Sequence, residues 1–299
     1  MTSKIFVLPP KEDWIVDRLV SEWYQYNSDI STRSLEDCDT VWLLADWCYS
    51  HLDVRVLRQK KVVTTIHHIV PEKWTRSAEV EFKNRDDLTS VYHVPNVHTK
   101  QFIESFTNKP IHVIPYWANQ NIWKRNIEKR EIRSNLGIQE DEFVIGSFQR
   151  DTEGHDLSSP KLEKGPDILA DAIFEWSKDR KIHVLLAGWR RQYLLSRLES
   201  SGIKTTYIER PNQQVLNQLY QSIDLYPVTS RYEGGPQSLI ECGLLGIPVV
   251  SRNIGIASEV LTSQSVNDEI LSAVPSIPNV ENLKMPWGFA KYRDMFAEI

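Results

Sequence analysis

Between Thr229 and Gly255 the chain reads TSRYEGGPQSLIECGLLGIPVVSRNIG, and the residue types there suit a phosphorylated ligand. An apolar strand run ends just before it. Glu233 follows, then Gly234, Gly235 and Pro236, then a helical pattern from Gln237 that carries Glu241, then Gly246 and a second apolar run. Glycines let backbone approach a ligand closely, and the first N–H groups of a helix have no partner within it. That helix end, at Gln237 and Ser238, carries partial positive charge and suits an anion, above all a phosphate. Glu241 lies about one turn in. Helical side chains lean toward the N-terminus, so its carboxylate reaches the same region and suits a ribose diol. Glu233, in the loop, reaches whatever the phosphate carries.

The whole frame, E-G-x-P-x-x-x-x-E-x-x-x-x-G-x-P-V-V, resembles the E-x7-E signature of retaining glycosyltransferases of the GT-B fold, specifically glycosyltransferase family 4. The resemblance implies an α/β protein of two Rossmann-like, doubly wound domains with an interdomain cleft. It implies a nucleotide-sugar donor, with GDP-mannose first and a UDP-sugar second, a glycan or other hydroxyl acceptor, retention of anomeric configuration, and no metal or other cofactor. Arg150, after FVIGSF, and Lys164, before Gly165 and the next helix, match the family's two diphosphate-binding cations. Two fixed cations and a helix N-terminus stabilise the charge that grows on a departing nucleoside diphosphate. Gly188 matches a strand-glycine step. Arg210 opens a segment resembling the base-binding loop. Thr65-Ile66-His67 matches a T-x-H at a strand end, which implies His67 as a hydrogen-bonding group for the donor sugar, with His68 second. A metal reading of the paired histidines lacks a third ligand of suitable spacing. Glu233 is the implied catalytic carboxylate, either positioning the sugar and stabilising its positive charge or acting as a nucleophile.

Two features depart from the family pattern. Thirteen residues, DTEGHDLSSPKLE, separate Arg150 from Lys164, where the family has few. The loop after the first strand is LPPKEDW, without glycine, and its prolines remove backbone donors. A nucleotide-sugar epimerase of the same fold and a non-catalytic nucleotide-sugar-binding protein therefore stay open as alternatives.

These residues need elements to hold them. Expected strands are KIFVLP, DTVWLLA, KVVTTI, SVYHVP and PIHVIPYW, then FVIGSF, HVLLAG, TTYIE, DLYPVT and PVVS. Amphipathic stretches at 166–176, 192–199, 214–221 and 237–245 separate the later ones. Strands alternating with helices indicate right-handed β-α-β units and a parallel sheet. We place one domain at residues 1–122, with a C-terminal helix from 286–299 packing back on it, and the nucleotide-sugar-binding domain at 123–285. The basic cluster Lys124, Arg125, Lys129, Arg130, Arg133 reads as a solvated helix face, and Arg190 and Arg191 as exposed charges.

Composition excludes other classes. The 299 residues are 41% hydrophobic and 25% charged, ordinary for a globular chain of about two domains. A net charge of −5 argues against nucleic acid as a general partner. No run is long and apolar enough for a transmembrane helix, and the first residues do not resemble a signal peptide, which points to the cytoplasm and leaves room for peripheral membrane contact. Cys38, Cys48 and Cys242 form no C-x-x-C pair, so neither a disulfide framework nor structural zinc is expected. Phosphate loops of the G-x-G-x-x-G and P-loop types are absent. A homodimer is compatible with this composition. The ten tryptophans and eleven tyrosines read mainly as core packing.

Overall fold

The computed structural model describes residues 4–12 and 15–299. The last two residues of LPPKEDW, Asp13 and Trp14, and the first three of the chain lie outside the described residues. Two compact units emerge: Met1–Tyr116 together with Pro286–Ile299, and Trp117–Met285. All ten expected strands form.

The first unit is built on β1 (Ile5–Val7), β2 (Thr40–Leu43), β3 (Lys61–Thr65), β4 (Val91–Val94) and β5 (Ile111–Val113), all parallel and in that spatial order. Ile5 also forms a parallel bridge to Ser31 on the free edge of β1. The chain therefore runs outward from β1, returns across it and only then proceeds through β2 to β5. That reversal makes the sheet doubly wound, with its switch point between β1 and β2. Helices α1 (Ile15–Tyr26), α2 (Val54–Leu57), α3 (Arg76–Asp86) and α4 (Val97–Ile103) make the connections. Trp23 of α1 meets Trp42 of β2 edge to face at 5.0 Å. The C-terminal helix, Ala290–Ala297, covers this face: Tyr292 is fully buried against Trp42 and His93, and Phe296 packs on Trp23. On the other face Phe82 of α3 stacks on Tyr92 at 5.5 Å. Side chains alternate across a strand, so neighbours Tyr92 and His93 serve opposite faces.

His93 is completely buried. Its Nε2 donates to the Ile114 carbonyl at 2.8 Å, and its Nδ1 faces the Thr65 hydroxyl at 2.9 Å. The carbonyl can only accept, so the neutral ring with its proton on Nε2 fits the site. Burial pushes its pKa down to about 3. The unfolded chain binds this proton more readily than the native one. The stabilisation is thus complete above the ordinary histidine value and is lost as pH falls from there toward 3. By pH 5 His93 alone removes about 2 kcal/mol. Thermal unfolding of the first unit, followed from pH 7.5 to 5, should show a falling midpoint; a flat profile would contradict a neutral buried His93.

The second unit carries β6 (Phe143–Ser147), the hairpin β7 (Thr152–Glu153) and β8 (Ser159–Pro160), then β9 (Ile182–Ala187), β10 (Lys204–Ile208), β11 (Tyr226–Val228) and β12 (Val249–Ser251). Helices α5 (Lys129–Asn135), α6 (Pro166–Trp176), α7 (Gln192–Ser200), α8 (Gln213–Ser222), α9 (Gln237–Leu245) and α10 (Ala257–Val260) accompany them. Parallel pairing gives β10-β9-β6 and β11-β12, and a parallel bridge between Ile145 and Leu225 joins β6 to β11. In order of appearance this is 3-2-1-4-5, the Rossmann order without its sixth strand, with its switch point between β6 and β11. Ile145, Val184 and Leu186 of the sheet pack on Leu169 and Ile173 of α6 and Leu194 and Leu198 of α7. On the opposite face, Gly146 makes room for Ile223 after α8, since a Cβ there would stand 2.6 Å from its Cδ1.

The basic cluster is a solvated face only in part: Lys124, Arg125 and Arg130 are exposed, whereas others are tied down. Lys129 and Arg133 both pair with Asp224, at 2.5 and 2.6 Å, and Arg125 donates to the Leu245 carbonyl at 2.8 Å. These bonds fasten α5 and its approach to the rest of the second unit. The three cysteines are free and buried.

Candidate active site

In an open α/β sheet, ligands sit beyond the carboxyl ends of the strands at the switch point. In the second unit that point lies between the segments following β6 and β11, and the structure gathers polar groups from both there. Lys164 Nζ lies 2.7 Å from Glu233 Oε1, and the Ser230 hydroxyl donates to the same oxygen at 2.9 Å. Gln149 bridges the two segments. Its amide donates to the Lys164 carbonyl at 3.1 Å, and its oxygen accepts from Ser230 at 3.4 Å. Lys164 and Glu233 are both largely shielded, at 18% and 12% side-chain exposure, so their attraction is screened less than that of a surface pair.

The approach of the segments depends on Gly165. It has φ +61, and a Cβ would stand 1.9 Å from the Thr229 carbonyl oxygen. The Thr229 hydroxyl donates to the Gly165 carbonyl at 2.9 Å. Below this contact Arg231 forms a fork on Asp167 of α6 at 2.8 and 2.6 Å. Burial works against the Asp167 charge, but Arg231 holds the carboxyl below its usual range.

Glycine also shapes the start of α9. A Cβ on Gly255, at φ +56, would stand 2.7 Å from the Gly234 carbonyl and 2.6 Å from Pro236 Cδ. The Gly234-Gly235-Pro236 turn is thus seated on Gly255. Pro236 caps α9 without a side-chain hydrogen bond, so no cap side chain covers the first turn at Gln237 and Ser238. Glu241, one turn on, is 6% exposed. Burial, then the neighbouring Glu241 charge, pushes the Tyr220 phenol well above its ordinary value.

Arg150 lies in the segment that follows β6. Its Nε donates to the Thr152 carbonyl at 2.8 Å, and its guanidinium lies 5.3 Å from the centre of the Trp189 ring. Gly188, at φ +98, turns the chain after β9 and sets up that ring. Arg210, after β10, lies on the same indole at 4.9 Å. Arg191 is fully buried, contrary to its reading as an exposed charge. It pairs with buried Asp151 at 2.7 Å and donates to the Ala187 carbonyl at 2.7 Å, the Ser147 carbonyl and the Ser147 hydroxyl. One guanidinium therefore ties the ends of β6 and β9 to the segment that carries Arg150. Replacing Arg191 with methionine leaves Asp151 buried and unpaired. It should cost the second unit about 3–5 kcal/mol, read by urea unfolding; a loss under about 1 kcal/mol would place the pair outside the folded core.

In the first unit, the corresponding sheet end brings together Glu12, Asp46, Trp47, His67 and Tyr116. His67 Nε2 donates to the Leu44 carbonyl at 2.8 Å, and the Tyr116 hydroxyl meets Nδ1 at 2.6 Å. Burial lowers its pKa, with Asp46 opposing. Asp46 in turn pairs with Arg85 at 3.0 Å, although burial raises its pKa overall. His67 was expected to offer a nitrogen to the donor sugar. In the structure both ring nitrogens are hydrogen-bonded inside the unit, to Leu44 and Tyr116. His68 is half-buried. Among the described residues no three His, Cys, Asp or Glu side chains gather as metal ligands. Among the described residues of the glycine-poor loop after β1, Lys11 and Glu12 N–H both donate to Asp17, at 3.0 and 2.9 Å.

Residues 128–276 match the family model described as glycosyl transferases group 1. The match falls within the second unit. The chain is also 26% identical over 218 residues to an uncharacterized glycosyltransferase, MJ1607, of Methanocaldococcus jannaschii, covering 70% of this chain and 50% of that protein. It thus spans half the length of this curated relative. In structure it is similar to Anabaena HepE, solved with UDP and glucose, at a TM-score of 0.71 and 14% identity, covering 91% of this chain and 88% of HepE. It is likewise similar to a glycosyltransferase from Rickettsia africae at a TM-score of 0.64 and 14% identity, covering 99% and 98%. The fold is GT-B.

Within the second unit, four features were not visible in the sequence. Gln149 and Ser230 bracket the Lys164–Glu233 pair, yet a lone glutamine and a lone serine carry no motif. Arg191 sits beside Arg190 in a polar run with nothing to mark it as buried. The thirteen-residue insertion between Arg150 and Lys164 folds as the β7–β8 hairpin, whose turn is closed by Asp156 accepting from Ser158 and Ser159. Arg190 fastens it by donating to the Gly154 carbonyl at 3.0 Å.

Proposed function

We propose that this protein transfers a sugar from a nucleoside diphosphate sugar to a hydroxyl acceptor, with retention and without a metal. The observation that carries this reading is the Lys164–Glu233 ion pair at the β6–β11 switch point of the second unit, supported by Gln149 and Ser230. Lys164 and the start of α9 receive the diphosphate, Glu241 the ribose, and Glu233 lies where the sugar attached to the phosphate arrives. The bond between the anomeric carbon and the phosphate oxygen breaks, and the bond to the acceptor oxygen forms on the same face. The acceptor's proton passes to the departing phosphate. Charge growing on that phosphate is met by groups already in place. Glu233 stabilises the positive charge on the sugar. His67 acts through its bonds to Leu44 and Tyr116 as a positioning residue of the first unit.

The family resemblance favours GDP-mannose as donor. The complexes of HepE with UDP and with UDP-glucose favour a UDP-sugar as the second reading. Calorimetric titration with GDP-mannose, GDP-fucose, UDP-glucose, UDP-N-acetylglucosamine and UDP-xylose separates them. We expect one donor to bind, and Glu241→Ala to weaken it. Failure of every donor to bind would sink the reading. Product analysis by NMR then distinguishes transfer with retention from epimerisation of the donor.

A further inference from the structure

Three guanidiniums of this acidic chain converge on one indole. Arg150, Arg190 and Arg210 lie 5.3, 4.6 and 4.9 Å from the centre of the Trp189 ring. Trp189 itself is 42% exposed. The three arginines come from the ends of β6, β9 and β10, at the carboxyl edge of the sheet. None of the three forms an ion pair among the described residues. Arg150 and Arg190 donate only to the carbonyls of Thr152 and Gly154. The Nε of Arg190 is buried with no hydrogen-bond partner.

The backbone adds a second observation. Arg190 has φ +55 and Arg210 φ +45, in the left-handed region where glycine is at ease and a long side chain is not. Strain of this kind persists only where the surroundings enforce it. Here they do. The Arg190 carbonyl accepts from Asp151 and Thr152 N–H, both at 3.2 Å, and buried Arg191 anchors the next position. Two loops at neighbouring strand ends thus hold arginines in conformations that glycine would fill more cheaply, and aim both at the ring that Arg150 also covers. Three like charges without an ion pair among the described residues repel one another, and a polyanion relieves that repulsion. Guanidinium forks match phosphate oxygens in twos.

We infer that Arg150, Arg190 and Arg210, arrayed around Trp189, form a phosphoryl-binding site, with Trp189 as the apolar wall against which the guanidiniums are stored. Arg190 and Arg210 go beyond Arg150 and Lys164, the two diphosphate cations that the family resemblance implies. The inference rests on that function only for the source of the phosphoryl group, which is either the donor's own diphosphate or a separate phosphorylated molecule.

The probe is inorganic pyrophosphate, followed by calorimetry and by the emission of Trp189, isolated as the difference between wild type and Trp189→Phe. Arg190→Gly and Arg210→Gly remove each guanidinium while suiting the backbone, so folding is not at risk. We expect wild type to bind pyrophosphate with strong salt dependence. The double glycine variant should bind it at least about tenfold more weakly, with an unchanged or raised melting temperature. Affinity within about twofold of wild type in that variant overturns the site, as does a wild type that gives no heat with millimolar pyrophosphate. Competition between pyrophosphate and the nucleoside diphosphate assigns the site to the donor; simultaneous binding assigns it to a separate phosphorylated molecule. If pyrophosphate binds through these arginines and no nucleotide binds at all, the phosphoryl site stands and the proposed function falls. If nucleotide sugars bind and the glycine variants leave both ligands unaffected, the function stands and this site falls.

Discussion

Glu233→Gln is expected to lower the transfer rate by at least about a hundredfold while nucleoside diphosphate binding is kept or tightened. The two effects have opposite signs because Glu233 is bonded to Lys164 at 2.7 Å. A diphosphate arriving at Lys164 competes with that carboxylate. On the proposed reading, removing the carboxylate's charge frees the ammonium for phosphate and at the same time takes away the group that steadies positive charge on the sugar. Lys164→Met does the reverse for binding, weakening the nucleoside diphosphate as well as the rate. Steady-state kinetics beside titration with the nucleoside diphosphate separates these outcomes. A Glu233→Gln enzyme with an unchanged rate constant, or with nucleotide binding lost, would show that Glu233 does not steady the sugar's charge.

Gly165→Ala is expected to be the most damaging small substitution in the second unit, costing about 3–5 kcal/mol. The alanine must occupy φ +61 and place its Cβ 1.9 Å from the Thr229 carbonyl oxygen, a backbone atom that cannot rotate away. Either the Lys164–Gly165 turn or the segment after β11 must move. Both carry the site, so nucleotide binding falls along with stability. Gly137→Ala is the control. It shares a positive φ of +69 but meets nothing within 4 Å, so it should lose only the backbone share of about 1 kcal/mol. Urea unfolding of the two variants checks the ratio; equal losses would show that the contact with Thr229 is not what demands glycine.

Much of the fold was legible because parallel strands buried on both faces are short apolar runs, and such runs stand out whatever surrounds them. The helices α6 and α9 begin and end at the residues the sequence pattern marked, because Pro166, Gly165 and Gly246 punctuate them in the chain itself. The candidate site was legible where chemistry and backbone shape sit within one continuous segment, as they do from Glu233 to Glu241. It was illegible where the partner comes from far along the chain. Gln149 lies 81 residues from Ser230, and Lys164 lies 69 from Glu233.

The sequence by itself determined the ten strands of the two main sheets, the helices α6 to α9 and the glycine-bounded start of α9, since periodicity, proline and glycine act locally. Tertiary structure alone decided which charges are buried and whom they meet. Arg191 went to the interior and Arg190 to the Trp189 ring, though the two are neighbours of one type. It likewise decided that His67 spends both nitrogens on Leu44 and Tyr116, and that Lys129 and Arg133 close on Asp224 instead of facing water. The physical reason is common to all of these. A charge or a ring nitrogen takes its energy from desolvation and from a specific partner, and both are set by which distant segments the sheet brings side by side.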